Sequence, residues 1–505
     1  MTAVVAVPAG RTWPVPAVVR LFWLELRHNT MAWAVPLACA LFWLITFRKV
    51  AAMPPLWNVR AALLQTGTVL DFIVPVTGAA AWMGGRESRR RTADVLATTP
   101  VPRAARLLVV WAATTCWALA GYLICVGPAY WVTAARAGYG GPLWWPVAVS
   151  AACMPAFAAI GLGAATLLPS RFTAPAVAVV AFFAIALSTE LINGSQSAWQ
   201  VSPLVSWPWD TGPDTGVATF YPYQPDLAIA QLMLLAGGNV AILAAIVLPG
   251  SARRLTRVIA AGAAATGLVT AGTAAAVTGT GRLGPTGMIT IPALHDAARD
   301  RPLHVTPVCS GGPIPVCMNP AYAMYLPPVS ASLRPLLTEL AGLPGAPVRI
   351  SQSATRYQQG RGNLVEVTMA GPQVSGRPAV FHFLLPDQTE GPVDSSSQLV
   401  SQAAGSIGPA LVADITGARQ GANLAQDAVA GALLMLARAH PVGGRPGTWI
   451  AGLGTNRALP VVRPGTPGYA AAVRFAALSP AARRVWLVRH LPSLRAGRIT
   501  LADLP

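Results

Sequence analysis

Few residues of this 505-residue chain have the type and spacing for chemistry. Asp71 sits in the apolar stretch GTVLDFIVPV. An ionisable group at membrane depth costs a few kcal/mol and is normally paired or functional. Gln65 lies one to two turns away but about 120° round a helix, so it is a weaker companion. These two are the candidates for lining a path through a membrane. Cys309 and Cys317, in CSGGPIPVC, form a candidate disulfide if that part of the chain is exported. They lack the helper His or Cys that a zinc site needs. The third group is the run RESRRRTADVLATTPVPR, Arg86 to Arg103, where Arg86, Arg89, Arg90, Arg91, Arg103 and Arg106 crowd a short loop between two apolar segments.

Other chemistries are excluded. Lys49, in FRKVAAM, is the only lysine, so no Walker-type P-loop exists. There is no H-E-x-x-H and no G-x-S-x-G. Asp71 has no second intramembrane Asp to make an aspartyl dyad. The histidines His295, His304, His382, His440 and His490 are scattered and read as solvated or structural. No catalytic, metal or cofactor site is expected in this chain.

The elements that must position these residues are membrane helices. The chain is 54% hydrophobic and 11% charged, with mean hydropathy +0.51, against about 25% charged residues in soluble domains. Its net charge of +18 lies largely between apolar stretches. That argues for membrane topology and against nucleic acid as a partner. Residues 14–30 have the pattern either of a helix lying in the membrane interface, Trp23 included, or of an ordinary cytoplasmic tail. Seven spans are expected, near 31–47, 62–84, 105–127, 145–168, 173–192, 227–248 and 258–278, since a span needs about 20 apolar residues. With the N-terminus inside, thirteen arginines fall on the cytoplasmic side (Arg11, Arg20, Arg27, the six of the 86–106 loop, Arg171, Arg253, Arg254 and Arg257). Arg48, Lys49, Arg60 and Arg136 fall outside, and the positive-inside rule selects this orientation. The aromatic stretch 194–226 either dips into the outer leaflet or forms an interfacial belt.

From Gly279 the composition becomes that of a folded domain. LVEVTMAG and AVFHFLLP read as strands. Residues 396–417, 424–440 and 467–490 read as helices, the last broken near Pro480, with a loop at 441–447. An odd number of spans places this α/β or α+β domain outside the cell. The expected organisation is a cytoplasmic N-terminus (1–30), a six-helix transmembrane core (31–250), a seventh span (251–278) and an extracytoplasmic domain (279–505). The basic end of the chain, from Ala481, could touch anionic headgroups or form a solvated helix.

Within the arginine-rich loop, TADVLATT suggests a short helix. The Thr92 hydroxyl can cap it, and Asp94 suits the positive end of its dipole. Val95 and Leu96 offer an apolar contact, and Pro100 and Pro102 stop it. The segment resembles the first cytoplasmic loop of the type-2 exporter class of ATP-binding-cassette (ABC) transporter permeases. That loop has a Glu- or Arg-rich start, a Gly-Thr pair, a Leu-Leu pair, then Pro followed by Arg. Glu87, Thr92, Leu96, Pro100 and Arg103 match it, whereas Arg91 stands where Gly is usual and Val95 replaces the first Leu. The resemblance covers about residues 14–250. It implies that Glu87, Arg89, Arg91, Thr92, Asp94, Val95, Leu96, Pro100 and Arg103 couple to a separate cytoplasmic ABC ATPase subunit, which binds ATP and Mg. It also implies a second permease half, identical or related, in the same bilayer. The other reading is a membrane-anchored receptor or scaffold whose spans hold an extracytoplasmic binding domain without transport.

Overall fold

The computed structural model describes residues 15–92, 96, 101–188, 201–206, 217–250, 254–284, 286–353, 358–359, 365–366, 373–375, 379–383, 407–418, 422–436, 462 and 464–505. Among these, six helices are long and apolar enough to cross a membrane, as expected of a multi-pass membrane protein. The amphipathic α1 (Val15–His28) comes first. The first span runs as α2 (Met31–Leu41), a π-helical turn (Phe42–Thr46) and α3 (Phe47–Ala52). Then come α4 (Trp57–Gly84), the four-residue α5 (Arg86–Arg89), α6 (Arg103–Arg136) and α7 (Trp144–Leu167). Three further apolar helices follow: the short α8 (Thr173–Ala186), then the spans α9 (Asp226–Val247) and α10 (Arg254–Thr278).

The fifth expected span is shorter than the sequence suggests. The helix α8 ends at Ala186, and residues 189–200 lie outside the described set. Fourteen residues rise only ~21 Å, less than the ~30 Å hydrocarbon layer. Residues 201–206 pack into the bundle beyond the end of α8. Gln65 donates to Pro203 O at 2.8 Å and accepts from the Ser206 hydroxyl at 2.7 Å. Thr66 donates to Leu204 O, and Gln231 donates to Ser202 O and Val205 O. The Ser188 hydroxyl donates to that of Ser202 at 2.6 Å. Residues 201–206 are thus held by side chains of α4 and α9.

Small residues set the helix spacing. A Cβ on Gly161 of α7 would lie 2.2 Å from the Thr77 carbonyl oxygen of α4. Gly237 of α9 and Gly267 of α10 face each other so closely that a Cβ on either would meet the other's carbonyl oxygen at 2.6 Å. Without a hydrophobic drive between helices in lipid, such close van der Waals contact holds them together.

Arg60, expected in the loop before the second span, falls inside the helix instead. It lies in α4 at 2% exposure and donates to Pro54 O, Met53 O and the Thr133 hydroxyl. It thus closes the turn between the first two spans, its fork of donors reaching the Met53 and Pro54 carbonyls at once.

Beyond α10 the chain forms a short hairpin, β1 (Arg282–Leu283) with β2 (Ile289–Thr290). A five-stranded mixed sheet follows. Its strands are β3 (Val308–Cys309), β4 (Val316–Met318), β5 (Arg349–Gln352), β8 (Gln373–Ser375) and β9 (Val380–Phe383). They lie in the order β3-β4-β5-β9-β8, with β4-β5 and β5-β9 parallel. A two-stranded pair, β6 (Gln358–Gln359) and β7 (Val365–Glu366), stands apart. The strand expected from AVFHFLLP is β9; that from LVEVTMAG is described only as the two residues of β7. Helices α11 (Leu326–Leu340), α12 (Ile407–Thr416), α13 (Leu424–Leu436), α14 (Pro467–Ala477) and α15 (Pro480–Arg495) complete the region. The break at Pro480 occurs as expected: Ser479 caps α15 by accepting from the Ala482 amide, and Pro480 takes the first helical position. Residues 396–406 and 441–447 lie outside the described set.

The sheet and its helices do not float free of the spans. Val316, Met318, Ile350, Phe381 and Phe383 share one core with Leu333, Leu337, Leu433 and Phe475, and that core also takes in Leu56 and Val59 at the start of α4. The domain is therefore built on the end of α4 opposite the arginine-rich elbow. Its basic tail is partly structural too. Arg483 is 2% exposed and Arg495 donates to Ile415 O, so these two arginines point into the fold and do not await lipid.

Candidate functional site: an elbow between two spans

The elbow begins where α4 ends. Gly85 is followed by α5, whose C-terminus turns back on itself: Thr92 N donates to Glu87 O at 3.1 Å and Arg91 N to Ser88 O at 3.2 Å. This pair of bonds is a Schellman motif, in which the residue after the cap takes the left-handed conformation. Arg91 does so, at φ 50°. Glycine adopts that conformation without steric cost, which gives a physical reason for glycine at this place in the loops that the segment resembles. Arg91→Gly is expected to tighten the turn. Amide hydrogen exchange across 88–92 should slow several-fold, in line with about 1 kcal/mol for a side chain in the left-handed region. Unchanged exchange would mean that the Arg91 side chain compensates for its backbone.

Beyond Thr92 the described residues resume at the helical Leu96. Leu96 N donates to Thr92 O at 2.9 Å. Asp94, Val95 and Pro100 lie outside the described residues, as does most of TADVLATT, so the expected hydroxyl cap and dipole contact fall there. The elbow closes at α6, whose first residue is Arg103, capped by Pro102. Arg103 lines a small cavity of about 360 Å³ with Leu107, Gly163, Leu167, Ile242 and Pro249, where the ends of α6, α7 and α9 meet.

Two ion pairs fix the elbow, and both involve residues that the motif does not include. Arg106, in the first turn of α6, pairs with Glu87 through Nε at 2.8 Å and Nη2 at 3.2 Å. Its Nη1 donates to Val101 O at 2.8 Å and Leu96 O at 3.2 Å. One guanidinium thus ties the start, middle and end of the loop. A cation in the first turn opposes the helix dipole, and that misfit is the signal in the sequence that Arg106 has a specific partner. Arg86 pairs with Glu25 of α1, which is buried. Trp117 Nε1 donates to Leu26 O at 2.7 Å, and Asn29 Nδ2 to the Thr114 hydroxyl at 3.0 Å. Helix α1 and its following turn are therefore locked to α5 and α6 together. Arg89 folds back over the Trp82 ring, 3.9 Å from its centroid, and donates to Trp82 O.

The candidate path residues are not brought together. Gln65 is committed to the 203–206 segment. Asp71 accepts from the Thr46 hydroxyl at 2.6 Å. Thr46 ends the π-helical turn of the first span, and a Cβ on Gly67 would strike it at 2.3 Å. The wide turn and the bare glycine let threonine and carboxyl meet. Cys309 and Cys317 pair across β3 and β4 and form a disulfide.

At the opposite end, His295 sits between two carboxylates. Its Nδ1 lies 3.1 Å from Asp226 and its Nε2 3.0 Å from Asp300. Asp226, 1% exposed at the start of α9, also accepts from the Ile291 amide, and Asp300 accepts from Gln224. Burial disfavours the charged ring, but hydrogen bonds and charge from Asp300 and Asp226 outweigh it and raise the His295 pKa above its usual 6.5. This contribution to docking the domain on α9 is fully present below pH 6.5 and is lost as pH rises through the elevated value. Unfolding of the purified protein should show a stability gain towards pH 6 that His295→Gln abolishes; an identical pH slope in the variant would remove the clamp.

No family model, curated protein or solved structure matches the chain.

Proposed function

We propose that this chain is the membrane subunit of an ATP-driven exporter, coupled through the 86–103 elbow to a separate ATPase. The observation that carries this reading is the bracing of the elbow. Arg106 joins its two ends, and α1 is fastened to it through Glu25 and Arg86. A loop held this stiffly passes a push on one face to α4, α6 and α1 at once. The energy comes from ATP and Mg held by the partner, because the chain has no P-loop. A second permease half and lipid would cover the exposed apolar side chains of the first and last passes, among them Trp33, Leu37, Leu44, Leu255, Val258 and Leu268. The disulfide fits an oxidising compartment for the sheet-bearing domain, with the elbow in the cytoplasm.

The test is co-purification with a co-expressed ATPase from a neighbouring gene. Glu87→Arg with Leu96→Ala should lower recovery more than about tenfold, the scale of losing interface hot spots. Leu96→Ala alone leaves the Glu87–Arg106 pair in place and should still weaken recovery. Full recovery of the ATPase by both variants would refute the docking role.

A further inference from the structure

A cavity of about 620 Å³ lies between α1 and the end of α4. Its apolar wall comprises Leu21, Leu24, Trp82 and Met83, and its polar wall His28, Arg86, Arg89 and Arg90, with Glu25 at the junction. The charges are unequal. Glu25 is the only carboxylate in the lining, and it is bound to Arg86 by two hydrogen bonds. Arg89 and Arg90 have no carboxylate partner among the described residues. Burial, with Arg90 and Arg86 close by, lowers the pKa of the Arg89 guanidinium. Three guanidiniums are thus gathered where one anion serves them.

We propose that this cavity binds an anionic phospholipid, its phosphate held by Arg89 and Arg90 and an acyl chain lying along Leu24 and Trp82. Planar guanidiniums suit phosphate oxygens. Trp82 is 45% exposed one turn before the elbow, where an amphipathic ring sits at headgroup level. Leu24 presents its side chain to the same side at 47% exposure. A soluble phosphate would use the arginines but leave this apolar wall uncovered. The site rests on membrane embedding and not on the coupling role of the elbow, so it can fail while that role stands.

The test uses the full-length protein in neutral detergent, with bound lipid counted by native mass spectrometry. Dioleoyl phosphatidylglycerol should be retained in preference to dioleoyl phosphatidylcholine. With each arginine near a lipid surface contributing about a fivefold gain, Arg89→Gln with Arg90→Gln should weaken retention about thirtyfold. Should the double variant misfold, Arg90→Gln alone, an exposed site, should still cost about fivefold. Arg171→Gln, an exposed arginine elsewhere, should leave retention unchanged. Equal retention of the two lipids, or variants that hold phosphatidylglycerol as the wild type does, would overturn the proposal. Displacement by equimolar glycerol 3-phosphate would also overturn it, by showing a phosphate site indifferent to lipid.

Discussion

Gly161→Val is expected to abolish stable assembly of the helix bundle. Even a methyl at this position would sit 2.2 Å from the Thr77 carbonyl and 3.0 Å from both the Ala80 Cβ and the Ala81 amide nitrogen. Two of these atoms are backbone, so no rotamer change relieves the clash; α4 and α7 must separate. Overpacking of this kind typically costs 1–3 kcal/mol and sometimes more, and valine exceeds the minimal insult by two methyl groups. The separation would also disturb Met154, Phe157 and Ala158, which pack against Phe72, Ile73 and Val76. Thermal unfolding in detergent should show loss of the cooperative transition, or a fall of many degrees. At Gly163, where a Cβ would meet only the Ile242 side chain at 3.1 Å, alanine should cost far less. Equal effects at the two glycines would show that helix propensity, and not interhelical distance, governs both.

Arg483→Met should be the most damaging single change in the sheet-bearing domain. Arg483 donates to both oxygens of Glu339 and to the carbonyls of Ala476 and Leu478, which end α14. Methionine retains the stem but strands one carboxylate and two carbonyls. Removing one member of a buried pair costs 3–5 kcal/mol, and the partial exposure of Glu339 lowers the figure to about 2–3 kcal/mol. Glu339→Gln should cost less, because the amide oxygen still accepts. Chemical denaturation followed by the fluorescence of Trp486, which packs on Phe475, reports on this region. A midpoint shift within error for Arg483→Met would mean that water satisfies the stranded groups.

The membrane passes were legible because hydropathy over some twenty residues is a strong, local signal, as α4, α6, α7, α9 and α10 show. The short α8 was not, since the apolar run continues past Ala186 and nothing local announces that residues 201–206 will pack against Gln65 and Gln231. The candidate disulfide was legible because Cys309 and Cys317 are the two cysteines outside the apolar segments, and the structure joins them. The arginine-rich loop between two apolar helices was legible, but its braces were not: Glu25 and Arg86 are 61 residues apart, and only the fold makes them neighbours. The partners of Arg60 were hidden for a similar reason: two carbonyls and the Thr133 hydroxyl come together only in the folded turn. Strands β4 and β5 were invisible because, at three and four residues, they are too short for alternation to register.

The shared core around Leu56 and Val59 has a practical corollary for anyone dissecting the molecule. Excising residues 279–505 as a recombinant fragment removes the foundation along with the building. The severed globule would present bare hydrocarbon where α4 once entered, and the truncated helix bundle would wear a matching sticky cap. Successful subcloning calls for grafting the opening turns of that helix onto the fragment, or for polar replacements at the surfaces newly laid bare.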